Sequence, residues 1–154
     1  MANTKLKEFL DQHNVRYVSI EHSPAFTAPE VAASAHIAGR NFAKTVMVEI
    51  SGRMAMAIVP ADRKIVLSDL RDSLGEADVK LASEADFEGR FPDCEIGAMP
   101  PFGNLFGLPV YMTVSLAAEP EIAFNAGSHH EVIKMPFADY AELVKPIVLD
   151  FAMT

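Results

Sequence analysis

A single cysteine, Cys94, leaves the chain no internal disulfide and points to a reducing compartment. Apolar runs are short, and none approaches the roughly 20 residues needed to cross a bilayer. The opening residues, Met1-Ala2-Asn3-Thr4-Lys5, lack the basic-then-apolar layout of a secretion signal. The expectation is a cytoplasmic protein with no membrane partner. Positive charge is also scarce: 13 Lys and Arg stand against 21 Asp and Glu, a net charge of −8. Proteins that track long duplexes carry a basic face, because neutralising phosphates supplies most non-specific affinity. The acidic balance argues against that role and against DNA as a partner. A local contact with one end of an RNA needs only a few cations, and Arg40, Arg63 and Lys64 are candidates.

Several chemical signatures are missing as well. The five histidines (His13, His22, His36, His129 and His130) and Cys94 form no HExxH or paired CxxC spacing, so no metal site is expected. There is no G-x-S-x-G elbow around a nucleophilic serine, and no glycine-rich phosphate cradle of either common type. Capping accounts for Ser68 and Ser83 at helix starts.

What is present is a chain of 154 residues, half of them apolar, which fits one domain over residues 1–154. At this length roughly 70% of the unfolded chain's surface can be buried without staples. Helix-like and strand-like patterns alternate, as in a mixed α/β domain of the α+β type. Residues Thr4 to Gln12 read as a helix with Leu6, Phe9 and Leu10 on one face. Tyr17, Val18 and Ile20 suggest a strand ended by Ser23-Pro24. Thr27-Ala28-Pro29-Glu30 has the spacing of a capping box, opening a helix through Val31, Ala32 and Ala35 that stops near Gly39. Strands over Lys44 to Ile50 and Arg53 to Val59 are joined by Ser51-Gly52, a hairpin signal. A helix from about Ser68 ends at Leu74 before Gly75. A strand near Val79 to Leu81 and a brief helix after Ser83, ending before Pro92, lead into a long irregular stretch from Phe91 to Pro109. Strands near Val110 to Val114, Glu121 to Phe124 and Glu131 to Lys134 follow. A helix from Pro136 to about Val144 and a strand at Ile147 to Leu149 complete the reading.

Three places offer chemistry. Lys44 stands beside the apolar run Val46-Met47-Val48, where an ammonium is costly unless it points into a cleft toward an anion. Snorkelling from a strand start would explain it equally well. Gly97-Ala98-Met99-Pro100-Pro101-Phe102-Gly103 is stiff at its centre and permissive at its ends, suited to holding main-chain donors against an acyl oxygen. It also serves as a rigid connection. Phe124-Asn125-Ala126-Gly127-Ser128-His129 offers hydroxyl and imidazole donors, or an ordinary hairpin turn.

In series, these segments resemble a family. Thr27-Ala28-Pro29-Glu30, Phe42-Ala43-Lys44-Thr45, Val59-Pro60-Ala61-Asp62-Arg63, Leu81-Ala82-Ser83-Glu84, the Gly97 to Gly103 loop and Ala126-Gly127-Ser128 look like the YbaK-type aminoacyl-tRNA deacylases. Those enzymes are similar to the editing domain of bacterial prolyl-tRNA synthetase. The resemblance implies a mixed, partly barrel-like sheet flanked by helices, and hydrolysis of the ester between a wrong amino acid and the terminal ribose of tRNA. It puts Lys44, Gly97, Ser128 and His130 in the catalytic role. Thr27, Met99, Pro101, Phe102, Gly103, Gly127 and His129 fall among the substrate-binding residues, and the family's histidine falls on either His129 or His130. It implies no cofactor. The partners would be the acceptor end of a mischarged tRNA and an aminoacyl-tRNA synthetase, with the protein a monomer or weak homodimer. The substrate class is a small amino acid, alanine, serine or cysteine, on proline tRNA. The rival reading is a non-catalytic module of the same fold that binds a tRNA end or a nucleotide.

Overall fold

The computed structural model describes residues 4–23, 25, 27–76, 78–87, 89–91 and 94–153. The expected turn at Pro24 and the helix stop at Pro92 lie outside them. Helix α1 (Thr4–Gln12) buries Leu6 and Leu10, four residues apart on one face as helical periodicity demands. Strand β1 (Val18–Glu21) follows, then α2 (Ala28–Ser34), whose Thr27 and Glu30 form the reciprocal capping box. This helix is shorter than expected. The chain leaves it through Ala35, His36 takes a left-handed φ of 58°, and a separate 3₁₀ turn occupies Gly39–Asn41.

Strands β2 (Ala43–Ile50) and β3 (Arg53–Pro60) form the hairpin that Ser51-Gly52 signalled, both turn residues lying at positive φ. Next come β4 (Lys64–Ile65), α3 (Leu67–Leu74), β5 (Val79–Leu81) and the single turn α4 (Glu84–Phe87). Ser83 caps α4 by accepting from the Asp86 amide, but Ser68 caps nothing, since α3 starts one residue earlier after Val66. After the long loop come β6 (Val110–Thr113), α5 (Val114–Ala117), β7 (Glu121–Asn125), β8 (Glu131–Pro136), α6 (Phe137–Val144), β9 (Ile147–Leu149) and β10 (Ala152–Met153). Val114, expected to end a strand, instead opens the one-turn α5.

The strands form a five-stranded mixed sheet in the order β5-β2-β3-β6-β9, a three-stranded antiparallel sheet β1-β8-β7, and the pair β10-β4. The expected α+β class holds, with helices flanking mixed sheets. Among the described residues no barrel closes: the two larger sheets meet at an isolated bridge between Phe42 and Ala123. The main core lies between them, with Met56, Ile58, Met112, Leu116, Phe124 and Tyr140 fully buried. A second core of Val48, Ala57, Val59, Leu70 and Phe151 lies under α3.

The long loop is part of the main core. Phe102 is completely buried and meets Phe124 and Tyr140 edge-on, both at 5.2 Å between ring centres. Helix α1 holds the loop's far end, where Lys5 donates to the Leu105 carbonyl at 2.9 Å and stands over the Phe106 ring. Tyr140 is buried and donates its hydroxyl to the Pro101 carbonyl at 2.6 Å, and burial pushes its ionisation far above the ordinary tyrosine value. Tyr140→Phe deprives that buried carbonyl of its donor, which costs about 1–3 kcal/mol. A melting temperature lowered by roughly 2–4 °C per kcal/mol is the expected result, and an unchanged melt would show that water replaces the hydroxyl.

Candidate active site

Lys44, Gly97 and Met99 meet in one cleft of about 260 Å³, together with Thr45, Met47, Leu81, Ala82 and Phe87. Strand β2 supplies the lysine near its N-terminal end, β5 and α4 supply one wall, and the long loop supplies the other. Lys44 is partly buried, and burial lowers its pKa below the ordinary lysine value. No ion pair holds it among the described residues.

The second wall is locked to the Gly127 turn by main-chain bonds. Gly127 donates to the Ala98 carbonyl at 3.0 Å, and Glu95 donates to the Gly127 carbonyl at 2.8 Å. Glu95 then turns its carboxylate onto His129, accepting from the backbone amide at 3.1 Å and contacting ring Nδ1 at 2.9 Å. With Nδ1 held in this way, Nε2 faces Gly97: a Cβ built at that glycine would stand 3.6 Å from it. Gly97 has φ of +86°, a conformation that L side chains rarely adopt. A side chain there would be strained and would stand in contact with the imidazole.

The carboxylate explains the arrangement electrostatically. Burial pushes the Glu95 carboxyl up, but hydrogen bonds from the His129 ring and amide, and the charges of His129 and His130, outweigh it and leave the group below its ordinary value of 4.5. A carboxyl with a lowered folded pKa stabilises the fold above the unfolded value, and the contribution fades as pH falls through the folded one. Glu95→Gln should therefore melt below wild type near neutral pH, with the gap closing as pH falls below the ordinary value of 4.5 and through the lowered folded one. The effect is small, because the side chain is part-exposed and water screens it. A gap independent of pH would detach the stabilisation from the carboxylate's charge.

The other residues singled out in the sequence fall into distinct places. His130, placed in the catalytic role, is exposed, whereas His129 is buried against the loop. Ser128 is buried, and its hydroxyl has no hydrogen-bond partner among the described residues. Thr27 is occupied by its capping box. Pro101, Phe102 and Gly103 are buried, and Phe102 and Pro101 carry the packing contacts described above. Arg40 pairs with Glu119 at the rim of a different cavity, lined also by His36, Asn41 and Lys134. Sequence reading missed Glu95 and Thr45. The only local sign of Glu95 was an acidic residue two places before the loop glycine.

A half-shielded cation lining a cleft with a bare glycine, and a carboxylate-held imidazole turned toward that glycine, are thus brought together on a mixed α+β domain. The chain matches the aminoacyl-tRNA editing domain family over residues 22–143, and it belongs to that family. It is similar to the multifunctional Ser/Thr-tRNA deacylase ProXp-y of Escherichia coli K12, with 26% identity over 165 aligned positions, covering all of this chain and 95% of the relative. The O157:H7 counterpart matches equally. Among solved structures, a candidate trans-editing enzyme for prolyl tRNA synthetase superimposes with a TM-score of 0.83 at 17% identity, covering 99% of this chain and 98% of that one. A scaffold used for computational epitope grafting superimposes with a TM-score of 0.82 at 18% identity, covering 99% and 97%. Both structural likenesses concern the fold.

Proposed function

We propose that this protein is a free-standing hydrolase that removes a small, wrongly attached amino acid from tRNA, with serine the first candidate. The observation that carries the proposal is that Lys44 and Gly97 line one cleft, while the Glu95-held imidazole of His129 turns Nε2 toward the same Gly97. Serine belongs to the small-residue class expected from the sequence, and the Escherichia coli relative is described as a Ser/Thr-tRNA deacylase.

The chemistry suits these parts. An aminoacyl ester is already activated, so hydrolysis needs a positioned water and stabilisation of the oxyanion. Lys44 supplies positive charge in a partly desolvated setting, where it acts more strongly than in bulk water. His129 Nε2 faces the open face of Gly97, in position to take a proton from the attacking water, and Glu95 keeps the ring turned that way. The catalytic imidazole in this reading is His129, not His130. A size-limited cleft rejects larger amino acids sterically, while a single methylene is worth only about 10- to 200-fold in an apolar pocket.

The test is a panel of tRNAs charged with serine, threonine, alanine and cysteine, on proline tRNA and on each cognate tRNA. Release of serine faster than of the larger or correct residue supports the proposal. Retardation of tRNA with no release of any amino acid overturns it in favour of a binding module. Hydrolysis should also resist EDTA, because no three His, Cys, Asp or Glu side chains come together to hold a metal among the described residues. Activity lost to the chelator and restored by zinc would contradict that expectation.

A further inference from the structure

Strand β2 is paired with β3 along its whole length, but its other edge is covered only in part. β5 pairs with Val48, Glu49 and Ile50, and the Ala82 amide extends that cover to the Met47 carbonyl at 2.9 Å. At the other end, Phe42 bridges to Ala123 of β7. Between these two covers lies a gap over Lys44, Thr45 and Val46, and it opens on the cleft that holds Gly97.

The direction of the main-chain groups in that gap follows from the register. In an antiparallel ladder, successive residues turn their N–H and C=O alternately toward one neighbouring strand and the other. Met47 turns its carbonyl toward Ala82, away from β3, and the opposite residue, Met56, turns its amide away too, onto the Pro109 carbonyl at 3.0 Å. Thr45, two residues before Met47 and opposite Ile58, has the same parity. Its N–H and C=O therefore face the open gap, side by side. The Thr45 hydroxyl is buried and has no hydrogen-bond partner among the described residues. A donor and an acceptor left open on the wall of a cleft demand partners from whatever fills it.

An aminoacyl ester carries the complementary pair on adjacent carbons: an α-ammonium that donates and an ester carbonyl that accepts. We propose that the aminoacyl group docks on the open edge of β2 as a one-residue antiparallel strand, exchanging two hydrogen bonds with Thr45. The Thr45 carbonyl accepts from the α-ammonium, and the Thr45 N–H donates to the ester carbonyl oxygen. This is strand addition reduced to its smallest unit. It gives a main-chain recognition of the free amino group that does not depend on which side chain the amino acid bears. The inference rests on the deacylase reading above and adds to it the moiety that is recognised.

The experiment compares two esters of one tRNA, seryl and 3-hydroxypropionyl, which differ only in the α-ammonium, each rate being normalised to its own uncatalysed hydrolysis. A charge-assisted hydrogen bond predicts that kcat/KM favours the seryl ester by roughly 10- to 100-fold. Equal normalised kcat/KM values, with both esters hydrolysed, overturn the docking proposal and leave the deacylase reading intact. Failure to hydrolyse any aminoacyl ester in the wider panel would instead remove the deacylase reading itself. Thr45→Pro deletes the outward N–H without taking a bond from β3, as proline can at an open edge. It should slow both esters by about tenfold while keeping the preference for the seryl ester. A folded Thr45→Pro variant with wild-type rates would sink the proposal, and if the variant does not fold, the pair of esters decides alone.

Discussion

Lys44→Met should abolish most turnover, by roughly 10²- to 10³-fold, while the protein melts at or above the wild-type temperature. Most losses of activity on substitution come with losses of stability, and the opposite sign here follows from where the ammonium sits. It is partly withdrawn from water, and no carboxylate compensates it among the described residues. Its pKa is lowered by burial, so the unfolded chain holds the proton more tightly than the folded one. The resulting penalty is full at neutral pH and relaxes only as pH rises through the folded value toward 10.5. Methionine has nearly the same length and no charge, and it removes the penalty at pH 7. Thermal melts and single-turnover deacylation on the same samples check both halves. A variant that unfolds would make Lys44 structural, and one that keeps full activity would place the chemistry elsewhere.

The second large effect is on folding. Gly103→Ala should lower the melting temperature by something on the order of 6–12 °C, from a penalty of about 3 kcal/mol or more. The added Cβ would meet the Leu108 carbonyl oxygen at less than van der Waals separation, and Val110 Cγ2 at 2.7 Å. A side chain can turn aside from such a clash, but a main-chain carbonyl cannot do so cheaply. That stretch is fixed by the Leu108 amide, which donates to the Gly103 carbonyl at 2.9 Å, and by entry into β6. The displaced loop would carry Met99 and Gly97 out of register with Lys44, so activity should fall with stability. Differential scanning calorimetry on the alanine variant is decisive: a shift under about 2 °C would mean that the loop relaxes around the methyl group.

The two substitutions show which parts of this protein were legible in the sequence. Local chemistry was read well: the capping box at Thr27 and Glu30, the Ser51-Gly52 hairpin and the left-handed Gly75 after α3 each depend on neighbours within four residues. Elements defined by distant partners were not. Strands β4 and β10 are two residues each and exist because Ile65 and Ala152 meet, and no periodicity can announce that. The single turn of α5 had no cap signal, as Thr113 makes no side-chain cap bond. In the site, Lys44 and Gly97 stood out as a cation beside an apolar strand and a glycine in a proline-rich loop. Glu95 did not, because its partner His129 is 34 positions away. The tandem histidines were separable only by folding, which buries one against the loop and leaves its neighbour in water.

The main-chain bonds between Glu95, Ala98 and Gly127 fix the machinery to the backbone, which almost any sequence can supply. The facing wall is built differently. Leu81, 55% exposed at the cleft's rim, and Phe87 belong to a three-residue strand and a single helical turn. Leu81 can be exchanged with little strain on the sheets, whereas Phe87 is buried in the main core against Phe91. On the proposed deacylase reading, the rim at Leu81 can therefore change without disturbing the backbone that holds Glu95, Ala98 and Gly127. A change of substrate size preference would then need only a new side chain at position 81, with the opposite wall left as it is.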